Sequence, residues 1–138
     1  MPQMTITIGT EIPPLERTIT LTDMVRYAAA TWDFHRYHYD EAFARAMGMP
    51  APFIDGQMCG ALIAAQIGAW AGPESFIRRM SLRYASMAFA GERLRSTGTV
   101  TALEERNGAL LVTCELNIRG ADERLICGPA TVVVEILR

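Results

Sequence analysis

The most constraining stretch of this chain is "GQMCGALIAAQIGAWAG", residues 56–72, which has the make-up of a helix but no charged face. Met58, Leu62, Ala65, Ile67, Ala69 and Trp70 are spread around it, and Gln57 and Gln66 are its only strongly polar side chains. A helix apolar on nearly all sides is predicted to be buried on nearly all sides. The rest of the chain must therefore wrap around it. The residues that follow change from a helical period to alternation: "FIRRMSLRYASM", "ERLRSTGTVTAL", "GALLVTCELNIRG" and "RLICGPATVVVEIL" predict four strands. Turn signals at "AFAGE", "ERNG" and "RGADE" predict that they form an antiparallel meander.

The first half is mostly helical. "MTITIG" predicts a short strand or ladder edge, and Pro13 and Pro14 make "TEIPPLER" a turn. "TLTDMVRYAAATW" predicts a helix with Thr22 as its N-cap and Asp23 in the first turn. "YDEAFARAMG" predicts a second, with Asp40 as cap and Gly48 at C′. The sum is an α+β fold, a curved antiparallel sheet around a long buried helix, the arrangement called a hotdog. Residues 1–138 are expected to form a single domain. Its uncovered sheet edges predict a dimer.

Composition excludes several function classes. A net charge of −2 offers no footprint for nucleic acid. All thirteen basic residues are arginine, so no lysine nucleophile or Schiff base exists. Cys59, Cys114 and Cys127 are widely spaced and predict reduced, buried thiols, hence a cytoplasmic protein. The N-terminal residues lack the features of an export signal, and no run reaches the roughly 18 apolar residues of a membrane span.

Chemistry concentrates in "WDFHRYHYD", which holds both histidines, His35 and His38, beside Asp33 and Asp40. On an unbroken helix Asp33 and His38 would point about 140° apart. They converge only if the first helix stops near Trp32. A carboxylate and an imidazole across one cavity form an acid/base set, and the surrounding aromatics would exclude water. The alternative is that Asp33 caps a helix end and His38 is a hydrogen-bonded core histidine. No metal site is expected, because H-x-x-H lacks a third ligand at diagnostic spacing. Ser75, Ser81, Ser86 and Ser96 occur in no nucleophile motif. Cys59, opening the apolar helix, could have a lowered thiol pKa or simply pack. At that helix start, the N–H groups of Gly56, Gln57 and Met58 could hold an oxygen gaining negative charge. Gly56 would allow close approach of a substrate. Alternatively Asp55 caps the helix with its own carboxylate and competes for those donors.

"WDFHRYHYDEAFARAMG" followed by "FIDG" resembles the MaoC-like family of hotdog hydratases and dehydratases, relatives of R-specific enoyl-CoA hydratase. The family pattern G-D-x-N-P-x-H places its catalytic aspartate on Asp33 and its catalytic histidine on His38. "RRMSLRYASMAFAGERLRSTGTV" and "GPATVVV" are similar to later family strands. His35 and Arg36 replace the usual asparagine and proline, and Asp55 replaces the histidine before the helix glycine. These departures, with "AWAGPES", are similar to a divergent branch that includes small subunits of actinobacterial steroid side-chain enoyl-CoA hydratases.

The resemblance implies reversible hydration of a trans-2-enoyl-CoA to the 3-hydroxyacyl-CoA, on a bulky or steroid-like acyl chain. No cofactor is implied beyond the coenzyme A of the substrate. The partner would be an identical chain or a second hotdog subunit. Asp33 and His38 would handle the protons, while Gly56 and Gln57 would hold the thioester carbonyl. Trp32, His35, Arg36, Asp55 and Met58 would contact substrate, and Arg36 is expected to pair with Asp55 or Asp40. Arg79 and Arg83 are candidates for coenzyme A phosphates, with Arg78 on the opposite strand face; solvated surface charge is the competing role. The competing functions are a hotdog acyl-CoA thioesterase and a non-catalytic acyl-binding subunit.

Overall fold

The computed structural model describes residues 5–137. Its elements run β1 (Glu11–Thr18), α1 (Leu21–Thr31), a 3-10 turn (Arg36–His38), α2 (Glu41–Ala46), α3 (Gly56–Ala71), β2 (Ser75–Ser81), β3 (Arg93–Arg106), β4 (Ala109–Arg119) and β5 (Leu125–Leu137). The five strands form one antiparallel sheet in the order β1-β3-β4-β5-β2. Its concave face supplies Leu94, Val100, Val112, Cys114, Leu116, Ile118, Val132 and Val134, and α3 supplies Ile63 and Ile67, all essentially inaccessible to solvent. The fold is the α+β hotdog that the sequence predicts.

Several local expectations are corrected. "TEIPPLER" is strand β1 rather than a turn. Prolines are tolerated because β1 is an edge strand, and its register with β3 shifts between Ile12 and Leu15, where they sit. The strand expected at "MTITIG" is absent from the described residues 5–9; Met4 lies outside them. A turn closed by Thr10 N–H donating to the Thr7 carbonyl precedes β1 instead. Helix α1 is capped by Thr20, not Thr22: Thr20 and Asp23 exchange side chain-to-backbone bonds in a capping box. Asp40 and Gly48 occupy their expected places around α2, Gly48 with φ 85°.

Only β3, β4 and β5 form the expected meander. The β3–β4 hairpin turns on Asn107 and Gly108, both with positive φ, as a two-residue primed turn needs. Strand β2 pairs with β5 at the far edge, not with β3. The connection at 82–92 is too long for a tight hairpin, and it crosses the sheet end through the bridges Tyr84–Cys127 and Phe53–Phe89. Nor is α3 buried all round. Its sheet-facing side is covered, while Ala61, Ala65, Gly68 and Ala69 form an exposed stripe of small residues.

Candidate active site

The end of α1 decides where the site forms. Trp32 adopts a left-handed conformation, φ 59°, and its N–H and that of Asp33 both turn back to the Ala28 carbonyl. The helix stops there and the chain reverses through the 3-10 turn. This bend brings the Asp33 carboxylate and the His38 imidazole together. Asp55, at the start of α3, joins them, and ligand-type atoms of the three lie within 4.8 Å of one another. All three are half-buried, and they share a tight crevice with Met24, Tyr27, Ala28 and Met58.

His38 is fixed from behind. Its Nδ1 lies 2.8 Å from the Phe53 carbonyl oxygen. A carbonyl only accepts, so Nδ1 carries the hydrogen, and Nε2 is the only ring nitrogen that can offer a lone pair. Phe53 is itself held by its N–H to the Tyr37 carbonyl at 3.1 Å, and its ring meets the imidazole edge-on at 5.0 Å. The segment "FIDG" thus orients the histidine as well as opening α3.

At that helix start the competing capping role of Asp55 is realised. Its Oδ1 accepts from the Gln57 N–H at 2.9 Å, and its carbonyl accepts from the Met58 N–H. Gln57 is therefore corrected as a free oxyanion donor, since its N–H is already taken. The Gly56 N–H finds no intramolecular acceptor among the described residues. What lies against Gly56 is the Tyr84 ring, whose edge is 3.1 Å from where a Cβ would stand. Tyr84 and Gly56 also line a neighbouring open cleft of about 290 Å³ with Phe53, Cys59, Ser86 and Met87.

Other expected site residues do not converge on the crevice. Trp32 is 82% exposed and packs edge-on against Phe34, so these aromatics do not dry the site. His35 is exposed and stacks on Tyr37. Arg36 pairs with Asp40 at 2.8 Å and covers the Phe43 ring; it does not reach Asp55. Met58 does line the crevice. Arg79 lies with Arg78 and Arg106 in a cleft of about 600 Å³ on the sheet face turned away from α3. A register shift between Ile77 and Arg79 breaks the alternation that would have separated Arg78 from Arg79. Arg83 lies beyond the end of β2 on the exposed connection. Cys59 is buried, and the neighbouring Cys127 thiol together with burial pushes its pKa up, the reverse of an activated nucleophile.

Tyr27 and Tyr84 were not singled out from sequence. Both phenols are pushed above their ordinary pKa, chiefly by burial, and Asp55 adds to the shift in each. The position of Tyr27, three residues after the buried Met24 on α1, is the signal that could have found it. Asp33, His38 and Asp55 are also the set of ligand-type groups that could surround a cation.

Residues 4–117 match the family model described as MaoC like domain. The chain belongs to the MaoC-like family. This MaoC-like chain is 30% identical over 98 residues to the 3-oxo-4,17-pregnadiene-20-carboxyl-CoA hydratase beta subunit of Mycobacterium tuberculosis, covering 71% of the chain and 76% of the relative. It is 25% identical over 107 residues to the (R)-specific enoyl-CoA hydratase of Aeromonas caviae, covering 77% and 80%. Among solved structures, a chain of the ChsH1-ChsH2 complex from M. tuberculosis superposes with TM-score 0.83 at 25% identity, over 97% of this chain and 100% of that one. The (R)-hydratase of A. caviae gives TM-score 0.86 at 23% identity, over 99% and 100%, a likeness of fold.

Proposed function

We propose that this chain catalyses reversible addition of water to a trans-2-enoyl-CoA, giving the 3-hydroxyacyl-CoA. The observation that carries the proposal is the meeting of Asp33 and His38 in one crevice beside the start of α3. Water attacks Cβ of the enoyl thioester: the new O–Cβ bond forms, one water O–H bond breaks, and its proton goes to the acid/base pair. The alkene electrons move through Cα to the thioester oxygen. As the carbonyl re-forms, the pair returns a proton to Cα. His38 lines the crevice and accepts the proton at Nε2, and Asp33 orients the same water. The Gly56 N–H donates to the oxygen that carries the developing charge. Asp55 holds the α3 cap and adds negative charge beside the imidazole.

The reaction uses no cofactor beyond the coenzyme A of its substrate. Met24 and Met58 close the crevice, and their flexible side chains can yield to an acyl group. The relatives' names support a bulky, steroid-like acyl chain and a heteromer with a different subunit, which we take to be a second hotdog chain. The exposed small-residue stripe of α3 supports association of either kind. Three free, buried thiols support a cytoplasmic location.

The test is loss of enoyl-thioester absorbance on adding the purified chain to trans-2-enoyl-CoA esters, alone and with a hotdog protein encoded beside it. Release of free coenzyme A thiol instead would identify a thioesterase. Binding without turnover in both preparations would leave an acyl-binding subunit and end the hydratase reading.

A further inference from the structure

An enolate-like oxygen in a dry site is stabilised best by two donors, and the capped start of α3 leaves only one. Gly56 supplies an N–H, while that of Gln57 is held by Asp55 at 2.9 Å. A second donor must come from a side chain. We propose that the hydroxyl of Tyr27 donates the second hydrogen bond to the substrate's thioester oxygen, which makes Tyr27 a further catalytic residue. This rests on the hydratase reading above.

Three observations support the assignment. Tyr27 lies on the inner side of α1 and lines the crevice with Asp33, His38, Asp55 and Met58. Among the described residues its hydroxyl has no hydrogen-bond partner, although the side chain is half-buried. Burial, and then the Asp55 and Asp33 carboxylates of the same crevice, push the phenol above its ordinary pKa. Asp55 of that crevice is followed directly by Gly56 of the open cleft, so the two spaces meet at the start of α3. A thioester whose coenzyme A arm leaves through the cleft and whose Cα and Cβ lie against Asp33 and His38 has its carbonyl at this junction.

Burial and the two carboxylates disfavour the phenolate, so the group stays protonated and remains a donor. It transfers no proton; those moved between water and Cα stay with Asp33 and His38. Tyr84 is the other phenol at hand, but it is 57% exposed and its ring is committed to packing on Gly56.

Tyr27→Phe keeps the ring and removes only the hydroxyl. It is expected to lower kcat for hydration of trans-2-octenoyl-CoA by about 100-fold or more, the range for losing one such donor. KM should change less than about threefold, and the urea unfolding midpoint should match wild type. Wild-type kcat in this variant would overturn the assignment.

A second measurement does not need turnover. In Asp33→Asn protein, the thioester carbonyl stretch of bound trans-2-octenoyl-CoA should fall below its value in water. It should move back upward in Asp33→Asn/Tyr27→Phe and stay in place in Asp33→Asn/Tyr84→Phe. A shift that follows Tyr84, or neither tyrosine, rejects the proposal even if the chain proves to be a hydratase. A shift that follows Tyr27 in a chain without hydratase activity would reject the hydratase reading alone.

Discussion

At the residue scale, the acid/base pair gives the most direct prediction. Asp33→Asn keeps the size of the side chain but loses its charge, and His38→Ala removes the Nε2 acceptor. Each should lower the chemical step of enoyl-CoA hydration by about 100-fold or more, as expected for loss of general acid/base help. Single-turnover absorbance traces would measure this, and near-wild-type rates in both variants would remove the mechanism. A different prediction concerns the core. Gln66 donates from Nε2 to the carbonyls of Pro13 and Ser96, tying α3 to β1 and β3, while its Oε1 and the Ser96 hydroxyl are buried without partners. An unmade buried hydrogen bond costs about 1–3 kcal/mol. Ser96→Ala should therefore be at least as stable as wild type. Gln66→Met, which strands two carbonyls, should lose about 1–3 kcal/mol in urea unfolding. The opposite order of midpoints would mean that the hydroxyl is satisfied in solution.

At the element scale, the helix caps carry a pH signature. The Thr20 backbone N–H bond, aided by the Thr20 hydroxyl, holds the Asp23 carboxyl below its ordinary pKa. The Phe43 N–H bond, followed by Arg36, does the same for Asp40. Folded carboxyls with depressed pKa bind protons less readily than unfolded ones. Their contribution is therefore fully present above about pH 4–5 and fades as pH falls through the folded values. Both carboxylates are half-buried and still touch solvent, so the effect is small. Urea midpoints measured from pH 5 down to pH 2.5 should fall, and Asp40→Ala should flatten part of that slope. An unchanged slope would separate the cap from the acid sensitivity.

The elements also show what was legible in the sequence. The fold was readable because α3 and β3–β5 carry their periods strongly, and the Asn107-Gly108 turn has one favoured geometry. β1 was hidden because its prolines look like a turn unless the strand is known to lie at an edge. In the same way, β2 could not be placed beside β5, since pairing across a long connection leaves no local trace. The Asp33–His38 meeting could be framed as a requirement for a bend, and Trp32 supplies that bend. Asp55 was legible as a cap and, through the resemblance, as a substrate contact, but its place beside the imidazole depends on long-range packing of the chain before α3. Tyr27 reads locally as one more apolar-face residue of α1; only packing against the start of α3 reveals its environment.

For the whole molecule, the two sheet edges differ in a way that bears on assembly. β1 is blunted by Pro13 and Pro14 and by its register shift, whereas β2 contains no proline and exposes Phe76. The open β2 edge adjoins α3, whose outward stripe of Ala61, Ala65, Gly68 and Ala69 is apolar and shallow enough for another backbone to come close. A strand edge and a helix face that are both uncovered and adjacent favour one continuous interface, with a second copy or a second hotdog chain extending the sheet. A stable contact of this kind buries on the order of 1,200 Å² or more in total. A carboxylate placed at its centre would be buried without a partner, at a cost large enough to break association. Ala65→Glu lies on the exposed side of α3, so the fold of the isolated chain should survive. Sedimentation equilibrium should show the wild-type chain as a dimer, or as a complex when the second subunit is added, and the variant as a monomer with unchanged far-ultraviolet circular dichroism. If Ala65→Glu associates as tightly as wild type, the interface lies elsewhere, and the outward apolar stripe of α3 needs a different explanation.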